Sequence, residues 1–193
     1  MLYKGIEILL SMLLLIPVFW ILNKVRFHSG RKTLFYFIFA TYLSAVYIFV
    51  GMPTLQFLRF EFSVTLLPFL PMIADLKNTI LNIILFVPLG ILLPFLWKRY
   101  RTLKATALFG FGMSLSIELL QILTYRATDI NDLLANTLGA ALGWLLFGIT
   151  ARIVPSITKF AGKKNDEAVL FVSVFAVMFF IQPYFASLFY NFT

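Results

Sequence analysis

Six long apolar runs decide what this chain can become. They lie at 5–23, 33–51, 78–97, 103–123, 132–151 and 168–184. A single α-helix needs about 20 such residues to cross the hydrocarbon core of a bilayer. The runs are continuous, whereas strands of an outer-membrane barrel alternate apolar and polar residues. Lipid offers no hydrogen bonds to the backbone, so a helix that satisfies its own is the natural form for each run. Hydrophobic residues make up 61% of the chain and charged ones 12%, far from the roughly 45–50% and 25% of soluble domains. The expected fold class is all-α, a polytopic membrane bundle of about six transmembrane helices, with residues 1–193 forming a single membrane domain.

Residues 52–77 interrupt this pattern. Pro53, Pro68 and Pro71 exclude an ordinary span, while Phe57, Phe60, Phe62, Leu66 and Leu67 are apolar around Arg59 and Glu61. The segment reads as interfacial, lying among the headgroups, with a re-entrant loop as the alternative. Pro17 predicts a kink in the first run. That run has only Lys4 ahead of it, is longer than a usual signal-peptide core and lacks a small-residue cleavage site, so it is expected to stay as a span. The chain has no Cys, which excludes disulfides and thiol chemistry, and its only His, His28, sits in a basic loop and reads as solvated.

The net charge of +8 follows from topology rather than from a nucleic-acid partner. Four basic residues follow the first run (Lys24, Arg26, Arg31, Lys32), four the third (Lys98, Arg99, Arg101, Lys104) and four the fifth (Arg152, Lys159, Lys163, Lys164), twelve of the 16 in the chain. With six spans these loops share one face, and the positive-inside rule puts that face in the cytoplasm. Both termini are then expected outside a bacterial cytoplasmic membrane. Glu61, Asp75, Glu118, Asp129 and Asp132 map to the outer side. Acidic residues do not set topology, so their bias is expected to mark an outward-facing site.

The polar groups concentrate between Ser116 and Gly143. Charges at membrane depth are costly, roughly 2.5–3.5 kcal/mol each on insertion scales, and are functional suspects. Ser114, Glu118, Gln121 and Tyr125 share one helical stripe, as do Asp132, Asn136, Gly139 and Gly143. Gly139-x-x-x-Gly143 suits close helix packing, and Pro88 and Gly90 are further packing positions where the third span can bend. Asn78 and Asn82 form a matching pair near the start of that span. The expected site is a water-filled pocket lined by Asn82, Glu118, Gln121, Arg126, Asp129, Asp132 and Asn136. Plainer roles compete. Asp129 or Asp132 would cap the fifth span, the asparagines would hydrogen-bond between helices, and Arg126 would snorkel. Glu118 and Gln121 sit deeper and fit these roles least.

Paired carboxylates can move protons or hold a cation that binds phosphate. However, Asp129-Ile130-Asn131-Asp132 lacks the Gly and downstream Glu of a calcium loop, and no His or Cys stands by to activate a nucleophile. The sequence leans away from an enzyme, and it indicates no metal and no cofactor.

These residues resemble the VanZ-like family of bacterial membrane proteins. The likeness starts at Leu67-Pro68-Phe69, runs through Asn82, Phe86, Pro88 and Gly90, takes in Ser116, Glu118 and Gln121, and ends on Arg126, Asp129, Asp132, Asn136 and Gly139. It marks a motif region of about 67–148. The resemblance implies a cell-envelope protein associated with low-level resistance to glycopeptide antibiotics, teicoplanin more than vancomycin. No established reaction comes with it. The expected partners are membrane lipids together with a lipid-linked cell-wall precursor or a lipoglycopeptide. Two other readings stand beside it: an intramembrane enzyme acting on a lipid-linked phosphate or cell-wall precursor, and a transporter or flippase. No visible internal repeat supports the last.

Overall fold

In the computed structural model the described residues are 2–56, 58, 64–65, 72, 75–124 and 128–191. They are overwhelmingly helical. The helices are α1 (Leu2–Leu22), α2 (Gly30–Val50), α3 (Leu76–Leu96), α4 (Leu103–Gln121), α5 (Ile130–Ile153), α6 (Asp166–Ala176) and α7 (Gln182–Asn191). A π-helical turn, Asn23–Phe27, extends α1, and a second, Val177–Ile181, joins α6 to α7. Six helical stretches are long and apolar enough to cross a membrane, so the chain is an all-α, multi-pass membrane protein. Large apolar side chains such as Leu13, Trp20, Ile84 and Leu146 point away from protein contacts. In water such exposure would be unfavourable; facing lipid it is the expected state.

Helix starts are set by polar caps, each one to four residues ahead of the apolar run. The Ser29 hydroxyl accepts from Lys32 N–H, the Asp75 carboxylate from Asn78 N–H at 3.0 Å, and the Thr102 hydroxyl from Ala105 N–H at 3.3 Å. Each satisfies an N–H that has no partner inside the helix. Pro17 lies within α1, while Pro88 and Pro94 lie within α3, which continues through both.

The chain divides into two compact units. The first comprises residues 1–58 and 164–193, and so holds α1, α2, α6 and α7. Its core is aromatic. Phe19 meets Phe37 edge-on at 5.4 Å, Phe27 meets Tyr36 at 4.9 Å, Phe39 meets Phe171 at 5.9 Å, and Phe175 stacks on Phe179 at 5.3 Å. Among these rings lies one ion pair. Arg26 Nε donates to Asp166 Oδ1 at 2.8 Å, and Tyr36 donates its hydroxyl to Asp166 Oδ2 at 2.9 Å. Asp166 is only 1% exposed, so both of its oxygens need these partners. Arg26, counted above only as a loop charge, therefore also has a structural task.

The second unit comprises residues 59–163 and holds α3, α4 and α5. Here α5 is central and packs on both α3 and α4. The α3–α5 contact is made by glycines. A Cβ on Gly139 would overlap the carbonyl oxygen of Ile83. One on Gly143 would overlap that of Val87 and lie 2.8 Å from the Gly90 Cα, and one on Gly90 would overlap the carbonyl of Ala140. The two backbones touch directly, which only residues without a side chain allow. Gly110 gives α4 a similar approach, since its Cβ would lie 2.6 Å from the Ala140 Cβ.

At the basic-loop end of this unit, backbone carbonyls are tied by long-range donors. Arg101 Nη2 donates to Thr158 O at 2.6 Å and to Phe160 O at 3.1 Å. Trp97 Nε1 donates to Lys163 O at 3.1 Å, and Gly162 N–H to Leu96 O at 2.7 Å. At the other end, Val64–Thr65 (β1) pairs in parallel with Thr128–Asp129 (β2), with Val64 opposite Thr128. No local pattern in the chain announces this two-residue ladder. The expectation that residues 52–77 are interfacial falls largely on residues outside those described.

Candidate functional site

The polar side chains singled out from the sequence belong to the second unit, on α3, on α4 and at the start of α5. On α4, Ser114, Glu118 and Gln121 are all buried. Their spacing of four and three residues puts them on one face, towards protein rather than lipid. Glu118 is 3% exposed and Gln121 5%.

Glu118 Oε2 accepts the backbone N–H of Asp129 at 2.8 Å. A carboxylate held in the interior thus takes the first free amide at the mouth of the next helix. The Asp129 side chain is the N-cap of α5: its Oδ1 accepts from Asn131 N–H at 2.8 Å and from Asn131 Nδ2 at 2.7 Å. Capping by Asp129 starts α5 at Ile130, two residues before the apolar run suggested. Asp132 falls in the first turn of that helix, where a negative charge meets the positive end of the helix dipole.

Asp132 also joins α5 to α3. Asn82 Nδ2 donates to Asp132 Oδ1 at 2.6 Å, and Asn78 Nδ2 approaches the same oxygen at 3.5 Å. One turn further along α5, Asn136 Nδ2 donates to Ser114 Oγ of α4 at 2.9 Å. Asn136 is 3% exposed, and its Oδ1 has no hydrogen-bond partner among the described residues. Buried amide oxygens are normally paired, so this one is an exception in the cluster.

The structure thus ties α3, α4 and α5 by three separate polar contacts, Asn82 with Asp132, Glu118 with the Asp129 amide and Asn136 with Ser114, with Gln121 one turn from Glu118 on the same helix face. Arg126 lies outside the described residues. The group is graded by depth: Glu118, Gln121 and Asn136 are buried, while Asn82, Asp129 and Asp132 are half-buried. Gly90, Gly139 and Gly143 lie at the α3–α5 contact, and Pro88 lies between Val87 and Gly90 on α3. Among the described residues no group of three or more His, Asp or Glu is arranged to hold a metal ion.

The sequence pattern leaves two contacts of the site out. Asn131 is buried and accounts for two of the bonds on Asp129. An Asp followed two residues later by a polar side chain is the local signal for such a turn. Ser114 was placed on the stripe, but its partner on α5 was not foreseeable from spacing within α4.

Comparison with known proteins identifies the family. A family model described as VanZ/LLP1 matches residues 6–151, a stretch that contains both ends of the polar cluster and extends well before the region marked by the motifs. Protein VanZ of Enterococcus faecium is 34% identical over 101 residues, which are 52% of this chain and 58% of that relative. The match therefore spans less than two thirds of the relative's length. No solved structure matches. With a family model covering most of its length and every one of its first five spans, the chain belongs to the VanZ/LLP1 family.

Proposed function

We propose that this protein is a VanZ-like resistance protein of the bacterial cytoplasmic membrane, and that it lowers the engagement of teicoplanin-type glycopeptides with the cell surface. The observation that carries this reading is the half-buried Asn82–Asp132–Asp129 group at one end of α3 and α5, braced from within by Glu118. It offers carboxylate acceptors and amide donors side by side, which suits a ligand rich in amides and hydroxyls. The basic loops lie at the opposite ends of these helices; with those loops in the cytoplasm, the polar group faces outward and both termini lie outside. Membrane lipids surround the spans, and a lipid-linked precursor or the lipoglycopeptide itself is the partner of the polar group.

The test is expression in a susceptible Gram-positive host, with teicoplanin susceptibility and labelled teicoplanin on whole cells as readouts. The wild-type chain raises the inhibitory concentration and lowers surface binding. Asp132→Ala, checked for membrane level, returns both to the vector control. Glu118→Gln keeps an acceptor oxygen for the Asp129 amide and keeps most of the effect. Full resistance in Asp132→Ala and Asn82→Ala, at normal protein level, would remove the polar group from the mechanism.

A further inference from the structure

We infer that the basic-loop end of the second unit is a docking surface for an anionic phospholipid whose headgroup carries two phosphodiesters. Two loops far apart in the chain build it. Lys98 and Arg99 come from the connection between α3 and α4, and Lys159 and Lys163 from the stretch that follows α5. All four are exposed.

Hydrogen bonds hold the two loops together. Arg101 Nη2 donates to Thr158 O and Phe160 O, the carbonyls of the residues on either side of Lys159, and Arg101 Nε donates to Pro94 O at 3.3 Å. Trp97, the residue before Lys98, donates from Nε1 to the carbonyl of Lys163 itself. Gly162 N–H donates to Leu96 O. Phe95 stacks on Phe160 with ring centroids 5.5 Å apart, and the Arg99 guanidinium lies over the Tyr100 ring, 4.8 Å from its centroid. The cations therefore stand on a fixed frame.

Topology alone does not ask for such a frame. The positive-inside rule counts Lys and Arg in a loop and is met by charges on a mobile chain. Like charges repel when held close, and this end of the unit has no carboxylate to relieve them. No acidic residue occurs between Leu76 and Ile117 or between Leu133 and Lys163. Asp75, Glu118, Asp129 and Asp132 lie at or near the opposite ends of the helices. Asp166, the next acid along the chain, is bound to Arg26 and Tyr36. Lys98, Lys159 and Lys163 make no ion pair among the described residues. The opposite charge has to come from outside the chain.

A phospholipid supplies it in the right place. The cations sit at the ends of spans, level with the headgroups, where basic clusters bind anionic lipids. Leu103, Ile153 and Val154 are exposed apolar residues that flank the two loops, so the lipid-facing surface runs up to the charges. A ligand with acyl chains for the first and phosphates for the second fits both. Each phosphodiester carries one negative charge, and a headgroup with two engages both loops at once.

The full chain in dodecyl maltoside micelles is mixed with tetraoleoyl cardiolipin, dioleoyl phosphatidylglycerol or dioleoyl phosphatidylcholine, and bound lipid is counted by native mass spectrometry. The expected order of affinity is cardiolipin, phosphatidylglycerol, phosphatidylcholine. One Lys near an anionic surface contributes about fivefold, so Lys98→Gln with Lys159→Gln, one change in each loop, weakens the first cardiolipin about twentyfold. Lys24→Gln with Lys32→Gln removes the same charge from the first unit and changes that affinity less than about twofold, as for a distant site. Equal loss in the two double variants, unaltered binding by the Lys98 and Lys159 variant, or cardiolipin no tighter than phosphatidylcholine would overturn the proposal. Inorganic pyrophosphate tests the source of the phosphate: binding weaker than that of cardiolipin supports a lipid, and binding as tight overturns it. If the Lys98 and Lys159 variant is not monodisperse, Lys159→Gln alone decides, with weaker cardiolipin binding in support and unchanged binding against.

Discussion

The two units solve the same problem in different ways. Helices in lipid gain nothing from excluding water from one another and must be held by packing and hydrogen bonds. The first unit fills the space between helices with rings, Phe19 on Phe37 and Phe39 on Phe171, around the Arg26–Asp166 ion pair. The second removes the space. Gly90, Gly139 and Gly143 let two backbones touch, and polar side chains close the ends. Rings can shift and repack when one is trimmed, whereas a backbone contact has no slack. The polar cluster sits in the unit with no slack.

The sharpest way to break this contrast is Gly143→Val. Its side chain would drive into the Val87 carbonyl and the Gly90 Cα, so the variant should lose more than about 3 kcal/mol, seen as loss of monodisperse protein and early unfolding in detergent. Gly148 has open space around it, and Gly148→Val should change stability by less than about 0.5 kcal/mol. Equal behaviour of the two variants would mean that α3 and α5 are not in direct contact.

A smaller effect is expected in the first unit from Asp166→Ala. It strands Arg26, which is partly exposed and can turn to water, and frees the Tyr36 hydroxyl in a buried place. A loss of about 2 kcal/mol is expected, with faster hydrogen exchange in α2 and α6 and little change in α3. Acceleration in α3 as large as in α2 would show that the two units do not respond separately. The smallest effect belongs to Ser114→Ala, which deletes the Asn136 bond between α4 and α5. Interhelical hydrogen bonds in membranes average about 0.6 kcal/mol, and the same unfolding assay should find a loss of that size. A loss comparable to Gly143→Val would assign the holding of the unit to its polar bonds.

The helices were legible in the sequence because a span needs little more than length and apolarity. Their ends were less so. The spans read from the sequence start at 78 and 132, but a helix begins where a cap can bond, at Asp75 and Asp129. The stripe of Ser114, Glu118 and Gln121 could be read because helical period is local. Which stripe meets which could not. Asn82 finds Asp132 across 50 residues and Arg26 finds Asp166 across 140, and no spacing within a helix encodes that. The ladder of Val64–Thr65 with Thr128–Asp129 was hidden for the same reason, and its two residues are too few to show a period. The division that places the first two spans with the last also lies beyond any local pattern.

The glycine seam has one further consequence. It touches at two levels, Ile83 with Gly139 and Val87 with Gly143, about one helical turn apart on each partner. Two contacts fix both the tilt and the sliding position of α3 on α5, as two pegs fix a plank where one would let it swing. A shift of even one residue, about 1.5 Å, would drive a Cβ into a carbonyl. Asn82 is the residue next to the first peg. Its bond to Asp132 is therefore not what aligns the two helices, and the framework does not depend on it.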